Sequence, residues 1–324
     1  MDTPLATLHT LEGRLTLRFE RLLAHPQEKV WRAITDPAEM LHWFPATVTT
    51  DLAIGAPMRF SFEGHNPDMD ATGSETGEVL ELDPPKVYAF CWAESVLRFE
   101  LLPTAEGCRL IFTQTLSGTG THGDLPSTAR QAAGWDGCLG LLAARLDGTS
   151  AEATESWWQR AERYVAEFGL GDGTAEPAAD GWVVRFERDL VQSPDQVWQL
   201  LTGGGELDPG AAPPVQLTHG YVQTGTITDV AAQRTVEYTW LHEGAPAGRV
   251  RFECPEQQPI GTRLVVTQTV PSHLAHLRAT LLAAWQTHLE LLFAALHGDV
   301  RCPWPADRTD ELRDMYAARL ENGQ

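Results

Sequence analysis

Residues 18–35 read RFERLLAHPQEKVWRAIT, and residues 185–202 read RFERDLVQSPDQVWQLLT. The RFER, the Val-Trp pair and the closing Thr coincide at one offset, 167. Self-similarity on this scale marks a duplicated unit and is read before any motif. Four more blocks match in the same order: GEVLELDPPKVYAFCW (77–92) with GTITDVAAQRTVEYTW (225–240), RFE (98–100) with RFE (251–253), GCRLIFTQT (107–115) with GTRLVVTQT (261–269), and GWDGCLGLLAARLDG (134–148) with AWQTHLELLFAALHG (284–298). The chain of 324 residues is therefore read as two related domains, 1–170 and 171–324, joined near 169–181.

The copies are unequal. The offset falls from 167 to 148 after the first block, so the second copy is shorter by about 19 residues there. The first copy holds DPAEMLHWFPATVTTDLAIGAPMRFSFEG in that region and the second holds GGGELDPGAAPPVQLTHG. Gly and Pro clusters read as loop. The second copy is expected to lack a short helix and one strand.

Within a copy, Leu15–Glu20 alternates apolar and polar residues as a half-buried strand does. Pro26 opens a helix with Val30, Trp31 and Ile34 on one face, and Asp36 caps a second short helix at Pro37. Strands are read at 58–62, 79–82, 87–92, 97–101 and 109–115, then a long helix at 129–146 and another at 152–168, matched by 306–320. Strand, helices, a run of antiparallel strands and a long helix make an α+β fold with the helix across one sheet face.

The residues that carry a family resemblance are Val30-Trp31, Asp36-Pro37, Trp43-Phe44, Gly77–Glu81, Pro84-Pro85, Phe90, Trp92, Gly107, Arg109-Leu110 and Gly134-Trp135. Through them the first copy resembles the activator of heat-shock protein 90 ATPase group, within the START / birch-pollen-allergen (SRPBCC) superfamily. The second copy is similar in Val197-Trp198, Trp240, Gly261–Leu264 and Trp285, and lacks the Trp-Phe and Pro-Pro signatures. The resemblance implies two helix-grip domains, each a curved antiparallel sheet wrapped around a long C-terminal helix. It implies an apolar cavity between sheet and helix, but no single chemistry, because fold does not fix function.

Candidate ligand-binding residues of the first cavity are Trp43, Phe44, Phe60, Phe62, Phe90, Trp92, Phe99, Trp135, Gly137 and Cys138. Apolar and aromatic walls with few polar groups are the usual small-molecule site, and the same pattern also describes plain core. Gly134, Gly137 and Gly140 recur every third residue, which suits close approach of a ligand or a strand to the helix. The second cavity draws Trp240, His242, Trp285 and His288, where a histidine beside Glu243 would be an acid/base pair or a hydrogen-bonded core residue.

Other classes are disfavoured. Twenty-four basic against 44 acidic residues give a net charge of −20, spread over both copies, which argues against nucleic acid and anionic membrane as partners. The start of the chain lacks the basic and apolar regions of a signal peptide, and no stretch of about 18 uninterrupted apolar residues appears. Five cysteines without a C-x-x-C pair read as buried thiols of a cytoplasmic protein. His273 and His276 lack a third ligand at matching spacing, and 66–73 begins like a calcium loop but ends on Val79, so neither a metal nor a cofactor is expected. The leading expectation is a non-catalytic binder of a small apolar molecule or a protein partner. A polyketide aromatase/cyclase-like enzyme and a co-chaperone-like ATPase activator are the alternatives.

Overall fold

The computed structural model describes residues 4–62, 76–118, 123–150, 155–255 and 262–322. The calcium-like stretch 66–73 lies outside them. The chain divides into two compact units, Met1–Phe168 and Gly169–Gln324.

The first unit carries an eight-stranded antiparallel sheet ordered β1-β2-β8-β7-β6-β5-β4-β3. Its strands are β1 (Thr7–Leu11), β2 (Arg14–Leu23), β3 (Thr47–Thr49), β4 (Pro57–Ser61), β5 (Thr76–Asp83), β6 (Val87–Trp92), β7 (Ser95–Thr104) and β8 (Gly107–Thr115). Two short helices, α1 (Gln27–Thr35) and α2 (Pro37–Met40), lie between β2 and β3. The long helix α3 (Thr128–Asp147) and the trailing helix α4 (Trp157–Glu167) follow the sheet. Asp36 starts α2 by accepting the Ala38 N–H at 2.9 Å, as its place before a proline predicts. The trailing helix starts at 157 because Ser156 and Gln159 form a capping box.

The second unit has a six-stranded sheet ordered β11-β12-β13-β14-β10-β9. Its strands are β9 (Thr174–Ala178), β10 (Gly181–Leu190), β11 (Gln223–Ala231), β12 (Thr235–His242), β13 (Ala245–Glu253) and β14 (Thr262–Pro271). Its helices are α5 (Pro194–Thr202), α6 (Arg278–Leu296) and α7 (Ala306–Glu321). Among the described residues it lacks counterparts of α2, β3 and β4, so the shortening removes two strands rather than one. The stretch 169–181 is also not a bare linker. Thr174–Ala178 pairs with β10 as the edge of the second sheet, and an edge strand tolerates Pro177.

Register shows why both sheets bury one face. Tyr88, Phe99, Phe112 and Phe19 stand opposite one another across β6, β7, β8 and β2. Val236, Phe252, Val266 and Phe186 make the same row across β12, β13, β14 and β10. The next row inward is Phe90, Leu97, Gln114 and Leu17 in one unit, and Tyr238, Val250, Gln268 and Val184 in the other. A period of two puts each row on the helix side.

The trailing helices are tied down alike. Tyr164 on α4 is buried and its hydroxyl accepts the Ala6 N–H at 3.1 Å. Tyr316 on α7 is buried and accepts the Gly173 N–H at 2.8 Å, 167 residues after Ala6. Helix α6 with its preceding turn, 272–296, is long and apolar enough to cross a membrane by composition, yet it lies largely within the core of the second unit.

Candidate functional site

In the first unit the aromatic side chains form one continuous cluster. Phe44, delivered by the segment after α2, touches Phe60, Phe90, Trp92 and Trp135 with ring centroids 5.5–6.2 Å apart. Trp43 packs edge-on against Phe99 at 6.0 Å, and its indole N–H donates to the Ala33 carbonyl at 2.9 Å, which fixes the segment to α1. Phe99 stacks on Phe112 at 4.5 Å, and Phe112 meets Trp135 of α3 at 4.8 Å. Trp92 stacks on Phe60 at 4.7 Å and 17°, and on Phe62 at 5.9 Å and 26°. Most of these rings are fully buried, whereas Phe62 and Trp92 are half-buried. Gly77 is required beside them, because a Cβ there would lie 2.0 Å from the Cys91 carbonyl oxygen and 3.0 Å from the Phe60 ring.

Two polar atoms are embedded in this apolar interior. The Tyr88 hydroxyl and Gln114 Oε1 are buried with no hydrogen-bond partner, and burial pushes the Tyr88 pKa up to about 12. Cys138 on α3 is also pushed up to about 12 by burial, with Arg160 pulling the other way, so it stays a thiol at neutral pH.

The glycine stripe does not face the sheet. A Cβ at Gly137 would lie 2.8 Å from Arg160 Nη1 on the trailing helix, and one at Gly134 or Gly140 would meet open space. Gly137 therefore leaves the set of cavity-lining candidates: its neighbour is α4. Beside it, Asp136 is ion-paired with the buried Arg21 and lies 3.9 Å from Arg160.

In the second unit the interior is organised around Trp285, which is fully buried. Its indole N–H donates to Gln268 Oε1 at 2.6 Å, and its ring meets Phe252 and His288 at 5.5 Å and His219 at 4.5 Å. His219 Nδ1 accepts the Tyr221 N–H at 3.1 Å, which leaves the proton on Nε2, a buried donor with no partner. His288 Nε2–H donates to the Gln216 carbonyl at 2.8 Å. Burial holds both imidazoles neutral: the His219 pKa falls to about 3, with His288 as a second cause, and that of His288 falls to about 4. Trp240 is fully buried and donates to the Thr269 carbonyl at 2.9 Å. His242 lies at the hairpin end of β12 opposite Ala245, outside the ring contacts of Trp285. The proposed pairing of His288 with His242 and Glu243 is thus replaced by His288 with His219, which lies in the Gly/Pro-rich segment and has no periodicity to announce it. Gln268 repeats Gln114 in the shared TQT block and was visible as a repeated polar residue.

Residues 24–147 match the family model described as activator of Hsp90 ATPase homolog 1-like protein. No curated protein matches the chain significantly. Among solved structures, the chain is similar to the conserved protein of unknown function EF2215 from Enterococcus faecalis at 18% identity, over 51% of this chain and 90% of that one, with a TM-score of 0.42. It is similar to CalU16 from Micromonospora echinospora at 19% identity, over 51% of this chain and 96% of that one, with a TM-score of 0.38. DynU16, from the dynemicin biosynthetic locus, is 18% identical over 87% of this chain and 98% of its own, with a TM-score of 0.35. The matched segment runs from the entry to α1 to the end of α3, so the similarity to the activator of Hsp90 ATPase homolog 1-like family lies within the first unit.

Proposed function

We propose that the first unit is a non-catalytic binding module for a small, flat apolar molecule, taken up at the Phe62–Trp92 end of the aromatic cluster. The observation that carries this reading is the near-parallel stack of Phe60, Trp92 and Phe62, in which Trp92 and Phe62 are half-buried. A planar ligand extends such a stack at little entropic cost, because the rings already hold each other in place. Few of the surrounding groups are polar, as expected of an apolar ligand. Among the described residues the second unit lacks β4 and with it counterparts of Phe60 and Phe62, so the stack is not repeated there.

A cyclase-like enzyme is the weaker reading. General acid/base catalysis works best with a group that titrates near the operating pH. Cys138 is shifted to about 12, His219 to about 3 and His288 to about 4, away from that range.

The test is a tryptophan-fluorescence titration with 1-naphthol and 9,10-anthraquinone, alongside native mass spectrometry of protein exposed to a cell extract. Saturable binding is expected, weakened about tenfold by Trp92→Leu if one stacking contact of ~1 kcal/mol is lost. Protein that retains no apolar ligand in either experiment, or a Trp92→Leu variant that binds like the parent, overturns the reading.

A further inference from the structure

The two units share a pair of residues that only the second unit joins. Gln114 and Gln268 hold the same place in the repeated TQT block, and Trp135 and Trp285 the same place on the long helix. In the second unit the Trp285 N–H donates to Gln268 Oε1 at 2.6 Å, and the ring is fully buried. In the first unit that bond is not made. Gln114 Oε1 is buried with no partner, and the Trp135 N–H has no hydrogen-bond partner among the described residues. The neighbours of the two rings differ as well. Trp135 lies against Phe112 at 4.8 Å and Phe44 at 5.6 Å. At the place of Phe112 the second unit has the smaller Val266, and there it is His219 that meets Trp285, at 4.5 Å.

A buried indole ordinarily finds an acceptor for its N–H, and one left without is a group that a ligand can satisfy. The two unpaired atoms of the first unit are not equivalent in this respect. Gln114 Oε1 is sealed from solvent and cannot reach a ligand. The Trp135 nitrogen is not among the sealed, unpartnered atoms of the described residues, and the residue keeps 5% of its surface exposed. Its ring meets Trp92 at 6.4 Å and 81°, so it stands beside the Phe60–Trp92–Phe62 stack. The open group next to the stack is therefore a donor, and a donor selects an acceptor. The Phe and Trp rings that touch it carry no charge. A neutral carbonyl oxygen suits such surroundings, whereas burying a carboxylate there costs far more.

We infer that Trp135 sets the ligand class of the first unit: its indole N–H donates to a ring carbonyl, and the flat molecule is an aromatic ketone rather than a plain hydrocarbon. This inference rests on the function proposed above and adds the chemistry by which the ligand is told apart.

Three tricyclic probes of one shape test it on the full chain. 9-Fluorenone carries an acceptor, carbazole a donor, and fluorene neither. Their dissociation constants are measured by equilibrium dialysis for the parent and for Trp135→Phe, and the Trp135 indole proton is followed in ¹H–¹⁵N spectra. The affinity of 9-fluorenone relative to fluorene is expected to fall about fivefold in Trp135→Phe, as the loss of one ordinary hydrogen bond gives, while that of carbazole relative to fluorene stays the same. Taking each affinity relative to fluorene removes any loss of packing that the smaller ring causes. In the parent, 9-fluorenone is expected to move the Trp135 indole proton further downfield than fluorene does, which decides the matter if the variant does not fold. An unchanged 9-fluorenone ratio, an equal fall for carbazole, or equal indole shifts with 9-fluorenone and fluorene overturns the inference and leaves the binding function standing. If none of the three probes binds, that function falls and the inference with it.

Discussion

Acid should unfold the second unit through two histidines. His219 and His288 are buried against Trp285 and held neutral, with pKa values near 3 and 4 against 6.5 for a free imidazole. In the unfolded chain both titrate normally. Below pH 6.5 the unfolded state therefore binds protons that the folded state refuses, and stability falls as pH falls. The loss sets in near pH 6.5 and continues until the folded-state values near 4 and 3 are reached. Between pH 7 and pH 5 each imidazole costs about 2 kcal/mol, so the pair costs about 4 kcal/mol, a large share of the stability of an ordinary domain. The contacts around the rings make the refusal costly to relieve. The His219 Nδ1 lone pair is already engaged by the Tyr221 N–H, and a charge on either ring would sit beside the other.

The assay is urea unfolding followed by tryptophan fluorescence at pH 7 and pH 5, on the parent chain and on His219→Gln and His288→Gln. Each variant will be less stable at pH 7, because it loses packing against Trp285. The informative quantity is the difference between the two pH values, which should shrink by about 2 kcal/mol in each variant and nearly vanish as a histidine effect in the double variant. An unchanged pH difference in the double variant refutes the reasoning. So does an NMR titration in the folded protein that places either imidazole near 6.

Three further outcomes follow from helix packing. Gly134→Ala and Gly140→Ala meet open space, so each should stabilise the first unit by about 1 kcal/mol and raise its Tm by a few degrees in calorimetry. Gly137→Ala should gain less, since Arg160 Nη1 must move from 2.8 Å, and a gain equal to its neighbours' would place Arg160 elsewhere. Tyr164→Phe strips the buried Ala6 N–H of its acceptor and should cost about 1–3 kcal/mol in denaturant unfolding, and Tyr316→Phe, whose partner Gly173 is half-buried, should cost less through that bond.

Legibility in the sequence followed the kind of constraint each residue obeys. The repeat was readable because inward positions are locked by register: a slip of one residue would turn Phe19, Phe99 and Phe112 to the outer face. Most of the aromatic cluster was readable for the same reason, since its members apart from Trp135 of α3 sit on or beside strands of period two or just after the capped helix α2. Direction around a helix was not. Spacing put Gly134, Gly137 and Gly140 on one stripe, but only Gly137 meets a neighbour, Arg160 of α4, which lies 23 residues further along and is chosen by packing. Edge strands hide too, because β3 is three residues long and β9 contains Pro177, which only an unpaired edge accommodates. His219 was hidden most deeply, in a segment whose position depends on the turn at Leu217 and on the Tyr238 hydroxyl donating to the Leu217 carbonyl at 2.6 Å.

The shortened segment is the instructive case, because what it removes and what it leaves are coupled. Glu39 and Arg145 form an ion pair in the first unit, at side-chain exposures of 25% and 42%. A partly exposed pair of this kind contributes little to stability. Among the described residues the second unit has neither a counterpart of α2 nor one of Arg145. Ala295 stands there instead, and the flanking polar positions are neutral amides. A deletion tolerated only for stability requires no more than a capped helix, which Gly203 already supplies. The second unit thus keeps the sheet and long helix of the first and a glycine-capped α5, without the α2 turn and its ion pair.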